Sequence, residues 1–327
     1  MTHPLQAIPA AFHRGEHLGI TSVCSAHPVV IEAALCLARD TGRPALIEAT
    51  CNQVNQDGGY TGMTPLGFRQ FVEGIAQTVG LDRASIILGG DHLGPNPWKS
   101  LPAEQAMTKA EAMIAAFAEA GFSKLHLDTS MGCSGEADVL TDEETAQRAA
   151  RLAIVAENHK SAVDPVYVIG TEVPVPGGAT HALDTLELTQ PDAVAKTIAV
   201  HRNAFVAHNL EDAFDRVIAL VVQPGVEFGH TDVVPFDTAE AQAISGTLRS
   251  YPSLVFEAHS TDYQSTEALT ALVSMGFSVL KVGPWLTFVL REALYKLDAI
   301  ADIIDSRAPT GQLMHTMETT MQAAPDN

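Results

Sequence analysis

Positive charge is scarce in this chain. Its 327 residues carry 19 Lys and Arg against 39 Asp and Glu, a formal net charge of −20, and no basic run occurs anywhere. Nucleic acid and anionic membrane are disfavoured as partners, because both are held by a cationic face. An anionic substrate must be met by a few local cations and backbone N–H groups acting against the overall field. Cysteine is equally sparse: Cys24, Cys36, Cys51 and Cys133 are irregularly spaced and form no C-x-x-C pair. A zinc knuckle or redox couple is therefore disfavoured, leaving reduced, mostly buried thiols as the expectation. No apolar run approaches the ~18 residues of a membrane span. The opening MTHPLQAIPAAFHRGEH lacks the charged-then-apolar pattern of a secretion signal, so a cytoplasmic protein is expected. Three compact motifs are missing too: G-x-G-x-x-G after the first strand, the phosphate loop G-x-x-x-x-G-K-[ST], and H-E-x-x-H. Nucleotide binding and a one-helix zinc site thus lose their usual signatures.

What is present is alternation. Short β-rich runs near 18–24, 45–50, 86–90, 124–128, 166–172, 217–222, 254–258 and 278–282 are separated by amphipathic stretches near 28–40, 65–80, 103–120, 141–160, 190–208, 238–250, 265–275 and 285–306. Repeated βα units predict a parallel sheet. The strands ALIEA, VIALVV and LVFEA are apolar on both faces, as they must be when helices cover the outside and side-chain layers fill the inside. Eight such units predict an α/β (β/α)8 barrel over residues 1–306. A tail over 307–327 follows a Pro/Gly break and reads as the start of a further, truncated region. A doubly wound open sheet is the rival architecture, but its functional groups would gather at one switch point.

Here they recur instead at most strand ends: Asp91-His92, Asp128, Glu172, Glu227, Glu257 with His259, and Lys281. In a barrel all strand-to-helix loops share one face, so these scattered positions converge there. Asp91 and His92 point to different sides of an extended strand, which suits one to a metal and the other to a proton. Glu257 and His259 share one face by the period of two. Glu172 precedes a Pro/Gly loop in which Gly177 and Gly178 can offer N–H groups to a phosphate or simply make a turn. Gln223-Pro-Gly-Val-Glu227-Phe-Gly-His230 adds another Glu/His pair. Lys281 and Gly283 lie where barrels often bind phosphate, though Lys281 could equally neutralise Glu257. The Asn/Gln/Gly-rich loop from Glu48 to Gly62, with Asn52 and Asn55, is suited to sugar hydroxyls, and Ser260 and Asp262 add further polar groups. Histidine and carboxylate at several strand ends suit a divalent metal, Zn²⁺ foremost and Mn²⁺ as an alternative. His159, His181, His201 and His208 fall in helical or connecting stretches and are expected at the surface.

The strings SVCSAHP, LGGDHLGPNPW, YVIGTEVPVPGG, VVQPGVEF, EAHSTDYQ and LKVGP, with IEAT-x-NQVNQ-x-GGYTGMTP between the first two, closely resemble the tagatose-bisphosphate aldolase Z-subunit family over about residues 14–306. The resemblance implies a class II aldolase-like barrel, with Asp91-His92 matching an acid and metal-ligand pair, Glu172 a fifth-strand glutamate and Glu257/His259 a seventh-strand metal region. Its sixth-strand metal histidine has no clean counterpart here, and Glu227 stands nearest. The implied metal set is His92, Glu172, Glu227 and His259. Asp91, Glu257 and Asp128 are the catalytic candidates, and Asn52, Asn55, Gly177, Gly178, Ser260, Asp262, Lys281 and Gly283 the substrate-binding ones. The family includes ketose 4-epimerases acting on tagatose 6-phosphate and non-catalytic partners that stabilise a separate class II aldolase subunit. A purely accessory protein has no chemical reason to keep so many ionisable groups, each costly to desolvate. The expectation is therefore a metal-dependent epimerase of a phosphorylated ketohexose, as a homo-oligomer or beside an aldolase subunit.

Overall fold

A computed structural model describes residues 3–171 and 186–323 of the chain. The apolar runs pair in parallel as strands β1 (Ile20–Val23), β2 (Ala45–Thr50), β3 (Ile86–Leu93), β4 (Lys124–Leu127), β5 (Val166–Ile169) and β6 (Val217–Val222). A hairpin of β7 (Glu227–Phe228) and β8 (Val233–Val234) follows, then β9 (Val255–Ala258) and β10 (Phe277–Val282). Eight of these close a barrel in the order β1-β10-β9-β6-β5-β4-β3-β2. The (β/α)8 expectation is met, and every predicted strand overlaps an observed one.

The helices are α1 (Ala7–His13), α2 (Pro28–Thr41), α3 (Pro65–Val79), α4 (Ala103–Glu119), α5 (Asp142–His159), α6 (Pro191–Ala207), α7 (Glu211–Phe214), α8 (Gln242–Thr247), α9 (Thr266–Ser274), α10 (Pro284–Ile304) and α11 (Gln312–Ala323). Their starts obey local chemistry. Pro28, Pro65 and Pro284 occupy first-turn positions that need no N–H. Thr141 and Glu144 form a capping box at the start of α5.

Three departures from these expectations occur. Strand β3 runs past the expected residue 90 because its register with β4 shifts between Gly90 and Leu93, a bulge that places His92 at φ 48°. The helix expected over 238–250 shortens to α8 and a 3₁₀ turn at Leu248–Ser250. Helix α1 has no counterpart in the βα count. Its Ile8, with the preceding Leu5, packs against Leu46, Ile87, Val166, Val168, Val221, Val255 and Val279 inside the barrel. That apolar plug fills the lower half of the interior, while the main core lies between strands and outer helices.

His201 corrects a surface expectation. It is fully buried on α6, its Nδ1–H donating to Thr197 O at 2.9 Å. His159 and His208 are exposed as expected, and His181 lies outside the described residues. No helix among the described residues is long and apolar enough to cross a membrane.

Burial lowers the His201 pKa to about 4. Between pH 6.5 and 4 the unfolded chain takes up a proton that the folded chain refuses, so stability falls as pH falls, by about 3 kcal/mol at the lower end. The His201→Leu variant should lose less stability across that window in urea titrations at several pH values. An unchanged pH slope would contradict the assignment.

Candidate active site

The upper half of the barrel interior is charged rather than apolar. By the period of two, β4 and the residue after it aim Lys124, His126 and Asp128 at one face. Strand β2 contributes Glu48, β9 Glu257 and β10 Lys281, and all are buried. Gly89 on β3 makes room for them: a Cβ there would lie 2.6–2.9 Å from the Glu48 side-chain carboxyl group and its γ-carbon. Glycine is required where that carboxylate crosses the barrel.

These charges join into one chain. Asp91 Oδ2 lies 2.6 Å from Lys281 Nζ, which also binds Glu48 Oε2. Glu48 Oε1 lies 2.6 Å from Lys124 Nζ, Lys124 Nζ lies 2.7 Å from Glu257 Oε2, and Glu257 Oε1 lies 3.0 Å from His259 Nε2. Lys124 contacts its two carboxylates off the ideal hydrogen-bond direction, so charge more than directed bonding holds it. Burial disfavours both ammonium groups, but the carboxylates outweigh it. Glu257 and Glu48 raise Lys124, and Asp91 leads the groups that raise Lys281 well above its usual range.

Three histidine rings meet above this chain, with centroids 4.9–5.3 Å apart for His92, His126 and His259. Each has a carboxylate behind it. His92 Nδ1–H donates to Asp128 Oδ2 at 2.7 Å, His126 Nδ1 pairs with Asp91 Oδ1 at 3.0 Å, and His259 Nε2 pairs with Glu257. The His92 backbone N–H also approaches His126 Nδ1, at 3.2 Å. An ionised Asp91 decides that tautomer, placing the proton on Nδ1. Burial alone would raise Asp91, yet the charges of His92 and Lys281 and the His126 hydrogen bond hold it well below the usual carboxylate range. Burial would raise Asp128 as well, but the hydrogen bond and charge of His92 leave it at about 2. Burial lowers His259 to about 3, keeping it neutral.

The result is three rings with one nitrogen each turned away from its carboxylate; His92, whose pKa burial would lower but Asp91 and Asp128 raise, must give up its Nε2 proton when a metal binds. Asp91, His92, His126 and His259 each place a ligand atom within 4.8 Å of the others. His126 Nε2 is buried without any hydrogen-bond partner, a costly state unless something else fills its lone pair. Carboxylate-backed histidines around a common point are the donor set of a divalent metal site with an open position. The residues fit such an ion.

The site opens into a cavity of about 870 Å³ at the C-terminal ends of the strands, lined by Asp91, His92 and His259 among others. Of the predicted substrate contacts, Asn52, Ser260, Asp262, Lys281 and Gly283 line it. Ser260, like His92, holds a positive φ, 53°, a strain that persists only where the surroundings impose it.

Several expectations need correction. Asn55 does not face the cavity: its amide donates to Cys51 O and its oxygen accepts from Asp57 N and Gly59 N, which folds the loop. Lys281 has its charge engaged by Glu48 and Asp91, and Gly283 N–H already donates to Asp262 Oδ1, so neither is free for a phosphate. Asp128 and Glu257 stand behind His92 and His259 rather than lining the cavity, which makes them positioning residues. Glu227 sits on β7 with its carboxylate accepting from Phe228 N, outside the converging group, and His230 is exposed. His126 takes the place that sequence reading gave to Glu227. Inside KLHLD, the polar–apolar alternation of Lys124, His126 and Asp128 is the sequence signal for it. Glu172, Gly177 and Gly178 lie outside the described residues.

Residues 5–327 match the family described as D-tagatose-1,6-bisphosphate aldolase subunit GatZ/KbaZ-like. A protein of Agrobacterium fabrum named D-tagatose 6-phosphate 4-epimerase is 55% identical over 330 residues, spanning 99% of this chain and 77% of that one. The crystal structure of a probable tagatose 6 phosphate kinase from Sinorhizobium meliloti 1021 is 57% identical, with a TM-score of 0.87 over 94% of this chain and 76% of that one. The YdjI aldolase from Escherichia coli K12 shares the fold at 11% identity and a TM-score of 0.56, over 92% of this chain and 87% of that one.

Two outcomes follow from the geometry. Lys124→Met leaves Glu48 and Glu257 facing each other without their shared cation, and urea denaturation should show a loss of about 3–5 kcal/mol; a change under about 1 kcal/mol would mean the pair is hydrated. His126→Ala should weaken Zn²⁺ or Co²⁺ binding at least about 100-fold in a direct titration, and undiminished affinity would remove His126 from the ligand set.

Proposed function

The chain belongs to the D-tagatose-1,6-bisphosphate aldolase subunit GatZ/KbaZ-like family, and we propose that within it the chain is an epimerase, interconverting D-tagatose 6-phosphate and D-fructose 6-phosphate at C4. The observation that carries this reading is the carboxylate-backed histidine trio beside Asp91 at the floor of a sugar-sized cavity. The name of the 55% identical relative points the same way. No phosphate loop occurs in this sequence to favour the kinase in the name of the other.

His92, His126 and His259 would hold the divalent ion, through His92 Nε2, His126 Nε2 and His259 Nδ1. A Zn²⁺ or Mn²⁺ ion bound there supplies Lewis-acid polarisation of a ketone oxygen. The rest is done by the chain. Asp91, kept ionised by Lys281 and His126, takes the C4 hydroxyl proton as the C3–C4 bond breaks, and C4 becomes an aldehyde carbon. The bond electrons pass to C2–C3 of the three-carbon fragment. The aldehyde turns about its C4–C5 bond, and re-addition to its other face restores the sugar with C4 inverted. Asn52 and Ser260, at the cavity wall, suit the hydroxyls of the two fragments.

The alternative within the family, a stabilising subunit of a tagatose-bisphosphate aldolase, needs no such site. An NMR time course of the purified protein with tagatose 6-phosphate and Zn²⁺ or Mn²⁺ separates the two. Fructose 6-phosphate should appear without any partner protein. A metal-loaded sample that converts nothing would move the assignment to the accessory subunit.

A further inference from the structure

Inversion at C4 by cleavage and re-addition has a geometric demand that Asp91 alone does not meet. When the aldehyde turns to expose its other face, its oxygen swings to the other side of the C3–C4 axis. A carboxylate fixed on one wall reaches the oxygen before the turn but not after it. A second proton-transfer group is required on the opposite wall.

The barrel order places one there. Strands β3 and β9 are diametrically opposed, with β10, β1 and β2 between them on one side and β6, β5 and β4 on the other. Asp91 stands on β3, and Asp262 follows the end of β9 at Ala258. Both line the same cavity, as does His259. Asp262 is 2% exposed. Its Oδ1 accepts the N–H groups of Gly283 at 3.1 Å and Trp285 at 2.8 Å, which fixes the carboxyl group at the start of α10. Its Oδ2 takes no hydrogen bond from the side chain or backbone of another described residue.

We propose that Asp262 is the second general acid/base of the epimerisation, exchanging a proton with the C4 oxygen on the face opposite Asp91. This deepens the epimerase reading and rests on it. The protons balance as follows. Asp91 removes the hydroxyl proton of one epimer, the C3–C4 bond breaks, and the aldehyde turns. The C2–C3 electron pair then re-forms the bond, and the oxygen at C4 takes its proton from Asp262. One turnover leaves Asp91 protonated and Asp262 ionised, and water in the open cavity returns the proton. Burial and the nearby charge of Glu227 hold the Asp262 carboxyl above its usual range, against the two amide hydrogen bonds that favour its ionised form. It is thereby suited to start as the acid.

The decisive variant is Asp262→Asn, because the amide oxygen still accepts from Gly283 and Trp285 and so preserves the cap. Metal-loaded wild type, Asp262→Asn and Asp91→Asn are each given tagatose 6-phosphate, and separately dihydroxyacetone with D-glyceraldehyde 3-phosphate, with products resolved by ¹³C NMR. Wild type should interconvert the hexose phosphates and condense the trioses to both epimers, the carbon-bound proton of dihydroxyacetone passing to an ionised Asp91 or Asp262 and from there to the C4 oxygen as the C3–C4 bond forms. Each variant should lose interconversion at least about 100-fold, and each should condense the trioses to a single epimer, opposite for the two. A cap without catalytic role predicts Asp262→Asn interconversion within about tenfold of wild type or condensation to both epimers, and either result overturns the proposal. Should Asp262→Asn fail to fold, Asp91→Asn decides: one epimer supports the proposal, both or neither refute it. Wild type without interconversion would instead defeat the epimerase reading itself.

Discussion

Everything above the apolar plug depends on the pairing of opposite charges buried inside the barrel. Lys124 is fully buried between Glu48 and Glu257, and Lys281 between Glu48 and Asp91. None of these groups can remain charged alone, because an isolated buried charge costs far more than the fold's net stability. Each ion is therefore positioned by its neighbours. Glu257 in turn orients His259, and Asp91 orients His126. The catalytic face is thus the upper surface of an ionic core, and its histidines inherit their tautomers from charges beneath them.

The same arrangement explains why sequence reading recovered the architecture but only part of the site. Strand identity is a local property: runs such as VIALVV declare burial on both faces, and Pro28, Pro65 and Thr141-Glu144 declare helix starts. The closed barrel followed from counting such runs. Asp91, His92 and His259 were legible because they interrupt strand ends beside glycine or a dense polar run. His126 was not, since one polar residue inside a short strand gains meaning only when its neighbours across the barrel are known. Lys281 and Gly283 show the converse. Their position suits a phosphate, but the partners that occupy them, Glu48, Asp91 and Asp262, come from strand ends and loops far away in the chain.

The carboxylates divide into two kinds. Asp128 and Glu257 only face histidine nitrogens and are enclosed, whereas Asp91 and Asp262 reach the cavity, Asp91 while also backing His126. Sequence chemistry does not separate these uses of the same side chain. Along β9 depth separates two of them: Glu257, inside the strand, supports His259, and Asp262, four residues after the strand ends, reaches the cavity.

Barrel closure also dictates an order of events in folding. Strand β1 pairs with β10 through Ile20–Val279 to Val23–Val282, contacts separated by most of the chain. The plug of Leu5 and Ile8 packs against interior residues from seven of the eight barrel strands. The β1–β10 pairing has no partner until β10 has been made, and the plug lacks its full set of contacts until then. During synthesis the first strand and the helix before it must wait, with apolar surface exposed, for nearly the whole barrel to follow. High contact order of this kind slows folding and lengthens the exposure of unpaired strand edges. A chain whose active site is assembled from all around a ring acquires that site only at the last step of closure.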